Sequence, residues 1–191
     1  MSNKTIDSQS NINQLLRKIS ILKNLSAESF EKLTAVVQLN YVLRGQTIIR
    51  KGNDDENLYF LLKGRLQAID LTEDGREVGL NFLTSGDYFG ELSVIDGQPR
   101  SATVVATENA LVAVLSRSHA LDLIYKNPTI IEHLLKKLTA SIRQASSYRG
   151  ILAIPNAFHR VFAILNQMTI TAPGGLIVIN NMPTQKEIAI M

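Results

Sequence analysis

Within FGELSVIDGQPRSATVV, residues 89–105, Gly90-Glu91 and Arg100-Ser101 place a carboxylate and a guanidinium nine residues apart across a turn. Glycine has no side chain, so a ligand can approach its backbone closely. Glu91 is an acceptor able to hold a pair of hydroxyls, and Arg100 is a planar cation whose N–H donors match the oxygens of a phosphate. With the Ser101 hydroxyl beside them, these residue types describe a sugar phosphate site. If Glu91 opens a short turn of helix, its backbone amides supply further donors for the anion. Singly, each feature is ordinary: Gly-Glu is common in turns, an Arg after Pro is usually solvated, and a Ser there caps or faces water. Their conjunction among strand-forming residues is the signal. A barrel directs both charges inward, where an unpaired charge is unfavourable and a ligand becomes the natural partner.

The elements that must position this stretch follow from periodicity. From Ile12 to about Val37 apolar residues recur at helical spacing, and Ser26 before AESFEKL is an N-cap with acidic residues in the first turn. Beyond Gln38 the pattern changes to two-residue alternation. Gly45, Gly52, Gly64, Gly75, Gly86, Gly90 and Gly97 separate TIIRK, LYFLL, RLQAIDL, EVGLNFL, SATVVA and ALVAVLS. Short strands joined by tight turns predict a small β-barrel or jelly roll from about residue 40 to 118. The Asp-Gly of EDGRE is of the kind that closes a hairpin.

At Asn127 the period switches again, with Asn as cap and Pro128 in the first helical position. Ile131, Leu135, Leu138, Ile142 and Ala145 form a heptad seam on a long helix, which packs either on the chain's own barrel or, as expected here, on the same helix of a second copy. A second helix enters through Pro155 and Asn156. PGGLIVIN then reads as a turn and a strand, and Thr184 and Glu187 stand in capping-box spacing at the start of another helix.

Composition bounds the class. The 191 residues are 45% hydrophobic and 19% charged, without a run near the eighteen or so apolar residues that a membrane span needs, which predicts a soluble, cytoplasmic globular protein with no membrane partner. MSNKTIDSQSN has no apolar stretch behind a basic cluster and reads as a disordered tail, not a secretory signal. Cysteine is absent, which excludes disulfides, iron-sulfur clusters and thiolate metal sites. Residues 1–118 hold 13 basic and 14 acidic side chains, residues 119–191 hold 7 and 3, so the basic surplus lies toward the C-terminal part, as in a nucleic-acid-facing end.

FGELSVIDGQPRSATVVA resembles the phosphate-binding cassette of cyclic-nucleotide-binding domains. The order of entry helices, β-roll, long helix and PTQKEIA resembles the CRP/FNR superfamily of bacterial transcription regulators, over roughly residues 14–191. The resemblance implies an α+β fold: a disordered tail at 1–11, a cyclic-nucleotide-binding β-roll domain with its N-terminal helices at 12–126, a dimerisation helix at 127–154, and at 155–191 the first part of a winged helix-turn-helix DNA-binding domain whose recognition helix is not in this chain. It implies further that Arg100 pairs with the cyclic phosphate, that Ser101 and the backbone near Gly90 and Leu92 add hydrogen bonds, and that Glu91 binds the ribose 2′-hydroxyl. The long helix would supply the base contact. Cyclic-AMP regulators use a Thr-Ser pair there, and Ala145 and Ser146 stand at the matching positions, which leaves cyclic AMP and cyclic GMP both open as effector. Thr184 and Lys186 would be DNA-proximal. The implied partners are a second copy of the chain, promoter DNA and RNA polymerase.

Other readings can be weighed from residues. Oxygen-sensing relatives carry cysteines, and a 2-oxoglutarate-sensing relative lacks the glutamate found here at 91. His119, His133 and His159 all follow the roll, so neither a haem ligand nor a cupin-type metal cluster is available within it, and no metal or other cofactor is expected. No Ser-His-Asp arrangement, P-loop or dinucleotide fingerprint points to an enzyme. The rival from another class is a stand-alone cyclic-nucleotide sensor that acts through protein contacts. It leaves HRVFAIL, the glycine-led strand and TQKEIA without a role. A regulator with a non-nucleotide effector, or a degenerate roll that merely dimerises, is disfavoured by the intact Gly90, Glu91, Arg100 and Ser101.

Overall fold

Apolar residues at every position of Leu58–Lys63 except the last require cover on both faces of that strand, and the fold supplies it. The structure, a computed structural model, describes residues 10–71, 77–179 and 182. It comprises two compact units divided between Leu134 and Leu135. In the first, helix α1 (10–16), a single turn at Ser20–Leu22 and α2 (Ala27–Val36) lead into β1 (Gln38–Val42), β2 (Thr47–Ile49), β3 (Leu58–Lys63), β4 (Arg65–Leu71), β5 (Glu77–Thr84), β6 (Tyr88–Phe89), α3 (Glu91–Asp96), β7 (Thr103–Ala106), β8 (Ala110–Leu115) and α4 (Arg117–Lys126). Two antiparallel four-stranded sheets, ordered β1-β8-β3-β6 and β2-β7-β4-β5, make the roll.

Alternation along β3 divides the core in two. Leu58, Phe60 and Leu62 face one way and join Leu16, Ile19, Phe30, Leu33, Ala120 and Leu123 in a cluster built with the helices. Tyr59 and Leu61 face the other way and meet Val42, Ile49, Leu66, Leu83, Val104 and Val112 inside the roll. The β3–β4 connection turns at Gly64, φ 90°, where a Cβ would run into the Asn109 carbonyl. Ser26 caps α2 as its sequence predicts, accepting from the Ser29 N–H at 3.2 Å.

Several expectations are corrected. Helix already includes residues 10 and 11, so the expected tail at 1–11 cannot extend that far; residues 1–9 lie outside the described residues, as do the expected Asp-Gly turn and the residues Thr184, Lys186 and Glu187. Strand β7 begins at Thr103 and not at Ser101. Helix α4 follows Ser116, where no separate helix is predicted; Ala120, Leu123 and Ile124 bury one face of it. Asn127 precedes α5 (Pro128–Leu152), but its amide serves the elements before it. Its Oδ1 accepts from the Ser29 hydroxyl at 3.0 Å and its Nδ2 donates to the Leu123 carbonyl at 2.7 Å.

The start of α5 belongs with the roll, because Ile130 and Leu134 are 1% and 4% exposed within the helix-side core. A boundary at 126/127 is therefore displaced by about two turns of helix. Ile131, the first residue of the expected seam, also packs partly against this cluster. The second unit holds the remainder of α5, α6 (Ala157–Gln167) and a hairpin of β9 (Ile170–Thr171) with β10 (Ile177–Val178). Asn156 caps α6 by accepting from the Phe158 and His159 N–H groups at 2.9 and 3.2 Å.

Candidate ligand-binding site

A left-handed glycine ends β6 and starts the cassette: Gly90 has φ 85°, and the six-residue α3 that follows stops at Gly97, φ 67°. The chain then runs to Arg100, whose backbone is strapped to the loop before β3. Its N–H donates to the Asn53 carbonyl and its carbonyl accepts from the Gly52 N–H, both at 2.9 Å. Its side chain is buried, with Arg100 3% exposed.

The guanidinium is held by three protein acceptors. Nη1 donates to the Gly90 carbonyl at 2.8 Å, and Nη2 donates to Asp55 Oδ2 at 2.7 Å and to the Asn57 carbonyl at 2.6 Å. Nε is buried and has no hydrogen-bond partner. The Arg100 guanidinium carbon lies 5.5 Å from the centre of the Tyr59 ring, which stacks on Phe89 at 5.1 Å. A Cβ on residue 90 would stand 2.5 Å from Arg100 Nη1 and 2.9 Å from the Asn57 carbonyl, so only glycine admits this approach.

Asp55 is oriented as firmly as the arginine. It accepts from the Tyr59 hydroxyl at 2.8 Å on Oδ2, and on Oδ1 from Asn57 Nδ2 at 2.7 Å and the Asn57 N–H at 3.2 Å. Burial pushes its carboxyl pKa up, but the bonds from Arg100, Tyr59 and Asn57 more than offset this and hold it below the usual carboxylate value. Burial first, and the Asp55 carboxylate second, push the Tyr59 hydroxyl up to about 12, so it remains a donor at neutral pH. Burial, then the charges of Glu91 and Asp87, also raise Tyr88.

Gly90 and Arg100 are thus brought into contact. Glu91 follows directly, partly buried, in the first turn of α3. Leu92 is 42% exposed and Ser101 is exposed beside the arginine. Ser146 belongs to the second unit, exposed, with its hydroxyl donating to the Ile142 carbonyl at 3.0 Å. Along α5, Leu135 and Ile142 are 59% and 68% exposed, Ala145 is exposed and Leu138 half-buried.

Sequence reasoning missed Asp55, Asn57 and Tyr59. The available signal was the acidic run Asp54-Asp55-Glu56 set against a fully buried strand, a costly location for carboxylates without partners. The neighbouring Glu56 has a partner too: Arg117 at the start of α4 lies 3.6 Å from it and donates to the Val94 carbonyl of α3 at 3.1 Å. Tyr59 also lines a cavity of about 430 Å³ with Asn40, Val42, Gln46 and Thr47, from the β1–β2 side of the roll. Among the described residues no group of three or more His, Cys, Asp or Glu side chains could hold a metal ion, and no helix is long and apolar enough to cross a membrane.

The sequence profile of the cyclic nucleotide-binding domain family matches residues 39–127. A cAMP-dependent protein kinase regulatory subunit of Debaryomyces hansenii is 35% identical over 103 residues, 54% of this chain and 22% of that protein. The cAMP-activated global transcriptional regulator CRP of Pasteurella multocida is 34% identical over 116 residues, 60% of this chain and 56% of that one. A CRP-like cAMP-activated global transcriptional regulator of Mycobacterium tuberculosis is 26% identical over 181 residues, 93% of this chain and 81% of the relative. Among solved structures, the Thermus thermophilus catabolite activator protein superposes with a TM-score of 0.63 at 27% identity, covering 70% of this chain and 62% of that one. The chain thus spans about a fifth of the kinase subunit it matches and a little over half of the Pasteurella regulator.

Proposed function

We propose that this chain, a cyclic nucleotide-binding domain with CRP-like regulators among its homologues, is the sensing part of a homodimeric, DNA-binding transcription regulator that responds to cyclic AMP. One observation carries the ligand reading: a buried guanidinium, anchored through both Nη atoms, retains an Nε–H with no protein acceptor. A buried, unmet, charge-bearing donor is unfavourable unless an anion takes it. The cyclic phosphate is assigned to Arg100, with Ser101 and the backbone near Gly90 and Leu92 as further donors. Glu91 is assigned to the ribose 2′-hydroxyl and Ser146 to the base, with cyclic GMP as the other candidate effector.

The similarity to a CRP-like regulator over 181 residues supports DNA as the output partner, since it runs well past the roll. In this reading Thr184 and Lys186 lie toward DNA, RNA polymerase is a further partner, and Leu135, Leu138, Ile142 and Ala145 meet their counterparts in a second copy. The exposure of Leu135 and Ile142 on α5 supports that last assignment. The kinase-subunit similarity favours a second reading, a cyclic-nucleotide sensor acting through protein contacts, but it covers only 54% of the chain.

Calorimetric titration with cyclic AMP and cyclic GMP tests the reading. The wild-type chain binds at least one of them, and Arg100→Ala weakens it about thirty-fold to several thousand-fold, as expected from a loss of roughly 2–5 kcal/mol on removing one partner of a buried charge pair. Wild-type-like affinity in a folded Arg100→Ala protein refutes the phosphate role.

A further inference from the structure

The positive charge of Arg100 does not face the ligand alone, because Asp55 balances it. Asp55 Oδ2 lies 2.7 Å from Nη2, and the carboxylate is itself fixed by the Tyr59 hydroxyl and both nitrogens of Asn57. A phosphate drawn to the buried Nε–H, which has no protein acceptor, therefore meets an arginine whose charge Asp55 already balances, and Glu91, one residue past Gly90, adds another negative charge. Two carboxylates, Asp55 and Glu91, thus accompany the one guanidinium of the cassette.

We propose that Asp55 is a specificity-determining residue, which makes this site accept singly charged phosphodiesters and reject doubly charged phosphomonoesters. The proposal rests on the reading of the roll as a cyclic-nucleotide site. Coulomb repulsion from a fixed carboxylate scales with the charge on the ligand, so a dianion suffers twice what a monoanion does. A bare guanidinium would do the reverse and favour the dianion. If Asp55 served only to hold the guanidinium in place, its loss would weaken every anion alike. Charge selection and positioning therefore separate in a ratio of affinities.

The test is calorimetric titration, at pH 8, of the wild-type chain and of Asp55→Asn, which keeps the size and an acceptor oxygen. The probes are cyclic AMP, adenosine 5′-monophosphate, and the phosphate methyl ester of that monophosphate, which differs from it by one methyl group and one charge. The wild-type chain binds the methyl ester at least about tenfold more tightly than the monoester. Asp55→Asn reduces this preference by about tenfold, the size of one unit-charge interaction across a partly screened site. Any common loss of positioning cancels in the ratio.

An unchanged ratio in an Asp55→Asn protein that binds cyclic AMP overturns the role of Asp55 and leaves the cyclic-nucleotide reading standing. Loss of all three ligands by a folded variant overturns it in favour of positioning. A wild-type chain that binds monoester and methyl ester equally well overturns it without any variant, which keeps the proposal decidable if Asp55→Asn fails to fold. A wild-type chain that binds no cyclic nucleotide overturns both readings.

Discussion

At the scale of single residues, the site is a matter of close approach. Gly90 must have positive φ, and must lack a Cβ, so that the Arg100 guanidinium can lie under its carbonyl. Gly90→Ala is expected to destabilise the fold by about 1–3 kcal/mol through backbone strain and displacement of the guanidinium, visible as a lower urea midpoint. It should also weaken cyclic nucleotide binding by at least about tenfold, because the displaced guanidinium no longer presents Nε as it does here. A stable variant with unaltered affinity would show that the approach has no functional weight. Glu91 permits a cleaner separation, since it is assigned to a hydroxyl and not to the phosphate. Glu91→Gln should weaken cyclic AMP more than its 2′-deoxy analogue, which has no hydroxyl to lose. Equal losses for the two ligands would remove the ribose assignment.

At the scale of elements, α5 serves two environments along its length. Ile130 and Leu134 lie in the helix-side core, whereas Leu135 and Ile142 are more than half exposed. Exposed leucine and isoleucine at coiled-coil spacing fit a partner helix, and the inner pair explains why the helix remains attached to its own roll. Ile142→Asp removes no buried contact of the monomer, so its thermal stability as a monomer should be unchanged within about 0.5 kcal/mol. In a dimer the same change buries an unpaired charge, several kcal/mol unfavourable per protomer. Sedimentation at micromolar concentration should therefore show dimer for the wild type and monomer for Ile142→Asp. A dimeric variant would place the interface elsewhere.

At the scale of the whole molecule, the proposed regulator would carry sensing to its output through α5, the helix that starts in the roll's core and continues into the second unit. Arg117 links α4, which immediately precedes it, to both α3 and Glu56, next to the residue that holds Arg100. Coupling free energies between two sites are typically about 1–3 kcal/mol, or roughly 5- to 150-fold in affinity. In the proposed regulator, cyclic nucleotide should change operator affinity by about that factor, and Arg100→Ala should abolish the change. A gel shift with and without ligand checks both. Ligand-independent operator binding would leave the roll without a role as the switch.

Much of this protein is written in local chemistry. The strands of the roll follow from alternation, α2 and α6 from the caps Ser26 and Asn156, and the cassette from Gly90, Glu91, Arg100 and Ser101 at close spacing. Each depends on neighbours within a few residues, which is why periodicity and capping find them. What escaped the sequence is what the fold brings from afar. Asp55 stands 45 positions from Arg100, and the Ser29 hydroxyl that takes the Asn127 amide is 98 positions away. Linear pattern marks an Asn before Pro as a helix cap and does not say which residue a carboxylate run will meet. The register of two sheets decides otherwise, by setting the loop before β3 against the end of the cassette. Sequence thus pointed to an arginine placed for an anion; only the tertiary structure set Asp55 against it and so balanced its charge.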